Sequence, residues 1–594
     1  MSKNNKLSKI FWPHRFTYLF KVFSFLFIIF LIFLYWKNIL FDASESLYDW
    51  NDPPYTIWVI QNNLRHFRNF DFTNIYDTNA LYPFKYSLTF AENFFFPSLL
   101  LLPLSFFVTN PIFQLNVLLV ANHLLVFICA FLLVGLVAKN FWAKIIASFY
   151  LAFSPYLFVQ LGHIHMTFYW PLLLSLYFLI KSEERRYLGA INRNVFIAGF
   201  LMGLQFTTTA YLGIMGLFII AIYYLVNLIY NKQRSRIFKS ALIFFSVFLV
   251  ISSISIYGYL KSKNTYGGQR DIGEYILYSA HVTDYLFPNG NQSSLFYRLP
   301  ILNKWRNLDH HYVGEKAAFL GIVPSLIVLL QILAISKNKG NSVIGLKLTK
   351  TTIFFVLLIM VGFVFSLGPR LSANGEYLHI PLPYHLIINN VPLITSLRAL
   401  ARWFFLVVLA ATFFVSYGLD KIFIAVEKKY KVPDYLLGML FLGLFIFEFY
   451  PKPLLGHKQI WWNSAYQFMK DELCVKKSVV LLEYPFIYRN SDADIIMDLQ
   501  YKTKTLLAST QHNCTILSGW PSYEPKEFQR ISHQLDANGI DIDDLDLLRK
   551  LGFDYLKLNK FALTNMEVQE ITKFLDKIEL KTVFQDSQAS IYKL

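Results

Sequence analysis

The sequence predicts a polytopic α-helical membrane protein with about eleven transmembrane helices and a C-terminal extracytoplasmic α/β or α+β domain. Three observations carry this. The chain of 594 residues is 55% hydrophobic and only 16% charged, against about 25% charged for an ordinary soluble domain. Apolar windows of about 20 residues, the length that crosses roughly 30 Å of hydrocarbon, recur along most of it. From Pro451 onward that pattern gives way to short segments with strand and helix periods.

The N-terminus, "MSKNNKLSKIFWPHRF", is basic, and the positive-inside rule places residues 1–18 in the cytoplasm. The first window, Leu19 to Trp36, exceeds a signal-peptide core and lacks a small-residue cleavage site, so it reads as a retained helix. The basic clusters "AKNFWAK", "KSEERRYLGAINR", "NKQRSRIFK", "KNKGNSVIGLKLTK" and "EKKYKVPD" must then also face inward. They do so when the short, Pro-containing stretch Phe94 to Val108 is re-entrant or interfacial. The expected spans are 19–36, 112–137, 145–161, 167–181, 195–211, 213–230, 238–260, 315–335, 351–368, 399–420 and 434–450. Residues 19–450 form the membrane domain, with a first outer loop at 38–111, and 451–594 form the outer domain. In that last segment "SVVLLEYPF", "KTLLAST" and "CTILSGW" read as strands. "DIDDLDLLRKLGFDYLKL" reads as a helix, a Gly stop and a strand, and "LKTVFQDSQASIYKL" as two closing strands.

The net charge of +17 is spread as short clusters between spans, without a basic stripe, which argues against a nucleic-acid partner. Three cysteines make no disulfide framework, although Cys474 and Cys514 could pair if their domain is extracytoplasmic. Every chemically interesting group falls on the outer face, including the polar "NGNQSS" of the loop 261–314.

In "SLYDWNDPPYTIW", Pro53 and Pro54 suit a helix N-terminus, and Asp52 is a capping candidate beside Asp49. Further on, Asp77, Lys85 and Glu92 precede the apolar stretch at 94. A carboxylate held at a membrane boundary is a better base, while snorkelling of Lys85 and an insertion stop at Glu92 are the plain structural readings. "LGHIHMTFYWP" sets His163 and His165 two apart, as backbone-bonded interfacial histidines or as metal ligands. "NVPLITSLRALARWFF" sets Arg398 and Arg402 four apart, on one face of a helix at its outer mouth. A guanidinium pair suits phosphate, and snorkelling to headgroups is the alternative. Acids on one side and arginines on the other suit a phosphate-bearing lipid whose head group is transferred.

In order along the chain stand "NDP" (51–53), "YPFKYSLTFAEN" (82–93), "FSPY" with "QLGH" (153–163), "SLGP" (366–369), "VPLITSLRALARW", "LLEYPF" and "LSGWPSYEP". With the Asp-bearing first outer loop and the C-terminal outer domain, this series resembles the GT-C superfamily of polyprenyl-phosphate-sugar-dependent glycosyltransferases. Within it, the chain is similar to a prokaryotic subgroup that has Gly where Asn51 stands. The resemblance implies a transferase, inverting at the sugar, on the outer face of the plasma membrane. Its donor would be a polyprenyl-phosphate sugar and its acceptor a lipid, glycan or protein. Asp52 would be the catalytic base with Asp49 beside it, and Lys85, Glu92, His163, Arg398 and Arg402 would bind substrate. Asp52, Glu92 and His165 could hold a divalent cation such as Mg2+ or Mn2+. A non-enzymatic transporter, flippase or scaffold for lipid-linked glycans is the rival, disfavoured by nearly charge-free spans and the lack of a duplicated half.

Overall fold

The computed structural model describes residues 14–183, 188–267, 270–287, 316, 318–336, 349–373, 376–390, 397–475, 479–489, 495–537 and 539–594. The "NGNQSS" segment lies outside them, as does part of the expected span 315–335.

The apolar windows fold as helices. In chain order they are α1 (His14–Phe41), α2 (Asp52–Asn69), α3 (Phe95–Ser105), α4 (Pro111–Val134), α5 (Phe141–Ala152), α6 (Trp170–Glu183), α7 (Leu188–Thr208), α8 (Ala210–Tyr230), α9 (Arg234–Tyr266), α10 (Ile322–Ser336), α11 (Lys350–Ser366), α12 (Phe404–Tyr430) and α13 (Asp434–Phe449). Among the described residues, seven stretches are long and apolar enough to cross a membrane: Leu19–Phe41, Pro111–Val134, Phe141–Gly162, Ile164–Glu183, Ala210–Tyr230, Arg234–Tyr266 and Leu400–Tyr430. The chain is a multi-pass membrane protein. The other four expected spans overlap the helices α7, α10, α11 and α13. α3 has 11 residues, about 16 Å at 1.5 Å per residue, too short to cross.

The stretch Leu400–Tyr430 is the hub and is buried almost throughout, with α5, α10 and α11 packed on it. Asp420, buried within α12, accepts from the backbone N–H groups of Lys139 and Asn140 at 2.7 and 2.6 Å, and so ties the α4–α5 turn to the hub.

Past α13 the architecture changes. Strands β3 (Val480–Tyr484), β4 (Thr515–Ile516), β5 (Tyr555–Asn559), β6 (Thr582–Gln585) and β7 (Ala589–Lys593) form a sheet in the order β4-β3-β5-β7-β6. A two-stranded ribbon, β1 (Arg370–Ala373) with β2 (Glu376–Pro381), stands apart in the loop after α11. β3 runs parallel to β4 and β5, and β7 antiparallel to β5 and β6. Around the sheet lie α14 (Ile495–His512), α15 (Lys526–Ala537), α16 (Ile542–Lys550) and α17 (Asn565–Lys577). α16 opens on a capping box between Asp541 and Asp544, and Gly552 follows it at a φ of +86°, a conformation that favours glycine. "KTLLAST", read from sequence as a strand, is instead the C-terminal half of α14. A short apolar run does not distinguish the two states, and here Leu506, Leu507, Ala508 and Ser509 are all buried, with no alternation.

The first loop and the C-terminal segment are sewn together. Ile516 N–H donates to the Asn79 carbonyl at 2.8 Å and Tyr82 N–H to the Ile516 carbonyl at 3.1 Å, so loop residues cover the edge of β4. Leu47 and His457 form an antiparallel bridge. Cys474 and Cys514 form a disulfide with a Cα–Cα distance of 5.4 Å. It joins the segment after α13 to the start of β4, closing a separation of 40 positions. Replacing both cysteines by serine is expected to lower stability by about 2–4 kcal/mol. Chemical denaturation of the full-length protein in detergent measures this, and a midpoint equal to wild type would mean that the crosslink adds nothing.

Candidate functional site

The site is built from the start of α2 outward. Asp49 Oδ1 accepts from Trp50 N–H at 2.7 Å and Asn51 N–H at 3.2 Å, a local turn that aims the chain into the helix. Pro53 and Pro54 then occupy the first turn, as expected. Asp52 is not the N-cap: α2 begins at Asp52 itself, the cap position is Asn51, and its side chain does not cap the helix. The carboxylate therefore sits in the first turn, where the helix dipole favours negative charge.

Asp52 Oδ2 lies 3.9 Å from His163 Nε2, with side chains 29% and 27% exposed, so a ligand can reach both. Between α5 and α6, His163 joins two short 3-10 turns and His165 lies in the second, with their rings 6.1 Å apart. Arg402 Nη1 donates to His165 Nε2 at 3.1 Å. A guanidinium can only donate, so this nitrogen of His165 is the acceptor and the proton resides on Nδ1. Arg402 is buried and lies over the Tyr211 ring, 4.7 Å from its centroid.

Arg398 and Arg402 do not share a helical face. Leu400–Trp403 is a 3-10 turn, and Arg398 precedes it in irregular chain, over the Tyr278 ring at 5.2 Å. Tyr211 organises this corner. Its hydroxyl accepts from Ala399 N–H at 3.0 Å, and its backbone N–H donates to Glu92 at 3.4 Å. Glu92 also accepts from Ala210 N–H at 2.7 Å, so it holds the N-terminus of α8, and the Tyr259 hydroxyl lies 3.4 Å away.

Asp52, His163, His165, Arg402 and Glu92 are thus drawn from four separate stretches of chain into one connected polar cluster. Asp49 adjoins it through the turn. Lys85 does not join. It is exposed on a segment whose neighbour Phe84 packs against Phe528 and Tyr266, and no contact links it to the cluster among the described residues. Tyr55, one turn into α2, belongs to the cluster: burial raises its hydroxyl pKa most, and the charges of Asp52 and Glu92 raise it further. Neither Tyr55 nor Tyr211 is distinguishable in sequence from other span-edge tyrosines. Outside the cluster, a second polar group missed in the sequence lies in the loop after α9, where Lys316 Nζ and His281 Nε2 are 3.0 Å apart and Asp284 accepts from His281 N–H at 2.7 Å.

No grouping of three or more His, Cys, Asp or Glu side chains suited to a metal exists among the described residues. Asp52, Glu92 and His165 do not form one, because His165 Nε2 faces the guanidinium and Glu92 is engaged by the start of α8. Among the described residues these three side chains do not converge on one cation-sized site.

Burial, partly offset by the α8 backbone and Arg402, raises the Glu92 pKa above its usual 4.5. A raised carboxyl pKa adds stability below the unfolded value, and that stability is lost as pH rises through the folded one. Gln carries no such charge, so the melting temperature of Glu92→Gln relative to wild type is expected to climb as pH rises from 4.5. A difference independent of pH, read by thermal shift between pH 4.5 and 8, would refute this.

Known structures share this architecture. The arabinofuranosyltransferase AftD from Mycobacteria aligns over 98% of this chain and 40% of its own, at 12% identity and a TM-score of 0.56. The apo oligosaccharyltransferase of Archaeoglobus fulgidus aligns over 92% of this chain and 70% of its own, at 13% identity and a TM-score of 0.50. The chain thus spans well under half of AftD. At these identities the likeness establishes the fold, which is that of the GT-C glycosyltransferases. A search of curated proteins returns no match. A family model described as a domain of unknown function, DUF6311, matches residues 26–445, and since this is most of the chain, the protein belongs to the DUF6311 family.

Proposed function

We propose that this protein is a membrane glycosyltransferase that moves a sugar from a polyprenyl-phosphate donor to an acceptor hydroxyl on a lipid, glycan or protein. The observation that carries the reading is the connected cluster from Asp52 through His163, His165 and Arg402 to Tyr211 and Glu92. A partly exposed carboxylate and a partly exposed guanidinium, Arg398, flank it. Asp52 takes the proton of the acceptor hydroxyl, and the freed oxygen forms the new bond to the sugar C1 with inversion. The C1–O bond to phosphate breaks, and the departing polyprenyl phosphate is neutralised by Arg398. Arg402, buried and bonded to His165, organises the site and adds positive charge behind it.

The proposed orientation has eleven crossings, the N-terminus in the cytoplasm and the C-terminal segment outside the plasma membrane. The Cys474–Cys514 disulfide supports it, since such bonds persist in oxidising compartments. The test is transfer by the purified protein in proteoliposomes supplied with radiolabelled polyprenyl-phosphate sugars and membrane-extract acceptors. Label moving to a non-polyprenyl product supports the reading. No transfer from any donor, together with donor translocation across the bilayer, would replace it with the transporter reading.

A further inference from the structure

The loop that carries Asp52 is bonded to the C-terminal segment at several points. Trp50 is buried, and its indole N–H donates to the His457 carbonyl at 2.7 Å. Gln500 on α14 donates from Nε2 to Asn51 Oδ1 at 3.1 Å. One turn along the same helix, buried Thr503 places its hydroxyl 3.3 Å from the Trp50 carbonyl. α14 packs along α2 itself. Asn51 occupies the N-cap position of α2 without capping it, because its side-chain oxygen is turned to Gln500.

We propose that Gln500 is a positioning residue: its amide, with the His457 carbonyl, fixes the Trp50–Asn51 step and so sets where Asp52 stands relative to His163. The proposal rests on the transferase reading above and extends it. The segment after the last apolar helix then completes the site's geometry without touching substrate. The physical reason is entropic. Among the described residues the irregular turn before α2 is held within its own loop only by Asp49, and such a turn samples several directions unless further bonds select one. An Asp52 carboxylate displaced by about 1 Å from the acceptor hydroxyl loses up to a hundredfold in rate.

Gln500→Leu keeps the side chain's bulk and removes its donor. In full-length protein in detergent, kcat is expected to fall about tenfold while KM for donor and acceptor stays within about twofold. Hydrogen exchange of peptides covering Ser46 to Trp58 is expected to speed up, with the α4 and α12 peptides unchanged. Asn51→Ala should do the same, and the double variant should be no worse than either single one. Asn51→Asp with Gln500→Lys restores a donor–acceptor pair and should recover most of the rate. Unchanged kcat and unchanged exchange in Gln500→Leu would overturn the proposal. A wild type inactive with every donor would overturn the transferase reading alone, because the exchange comparison still decides whether Gln500 holds the loop.

Discussion

Asp52→Asn is expected to lower kcat for sugar transfer by about 10²–10⁴-fold, the range for removing a general base, with donor binding nearly unchanged. Asparagine preserves the shape of the first turn of α2, so fold and packing should survive. It loses only the capacity to take a proton from the acceptor. Asp49→Asn is the matched control. Asp49 spends its Oδ1 on the backbone N–H groups of Trp50 and Asn51, and an asparagine oxygen accepts those bonds equally well. Its loss should stay below about tenfold, since geometry rather than charge is at stake. Single-turnover transfer from a labelled donor reads both. A fully active Asp52→Asn protein would remove Asp52 from the role of base. Equal losses in the two variants would instead assign the effect to the negative charge of the loop.

The membrane helices were legible because apolar length is a property of each segment by itself. Partner choice is not local, and the site depends on it. An arginine at the mouth of a span and a His-x-His pair at a helix end stand out in sequence, and the cluster contains Arg402, His163 and His165. Four-residue spacing implies one shared face for Arg398 and Arg402 in an α-helix. That inference fails where the chain approaches α12 through a 3-10 turn. Lys85 carries a plausible charge on a plausible loop, but its neighbour Phe84 packs against Phe528 of α15, far along the chain, and draws that segment to the C-terminal helices. The contact between Asn51 and Gln500 spans 449 positions, so no local pattern could reveal it. The same holds for Tyr211, whose role comes from standing between Glu92 and Arg402 rather than from its neighbours in sequence.

The second large effect is expected in the C-terminal sheet, from Lys557→Met. Glu483 on β3 and Lys557 on β5 are partners across the parallel ladder, both fully buried, with Nζ 2.8 Å from Oε2. Tyr466 and Asn559 donate to the same oxygen at 3.0 and 3.1 Å, while among the described residues Glu483 Oε1 has no hydrogen-bond partner. The Lys557 ammonium also lies over the Tyr466 ring, 3.4 Å from its centroid. Burial lowers the Lys557 pKa, and the facing carboxylate opposes that shift. Removing the lysine leaves a buried carboxylate with neutral donors only, at a cost of about 3–5 kcal/mol. Glu483→Leu combined with Lys557→Met removes both charges and should regain most of that loss, because a well-packed apolar pair often matches a buried ion pair. Unfolding of the full-length variants, followed by hydrogen exchange in β3 and β5, measures the difference. A single variant as protected as wild type would show that the pair is dispensable. α14 shares a buried contact with this network through Tyr501, whose hydroxyl accepts from Asn559 at 2.8 Å. Since Gln500 precedes Tyr501 directly, loosening the sheet should also loosen the grip on Asn51, and transfer should slow in the single variant and recover in the double one.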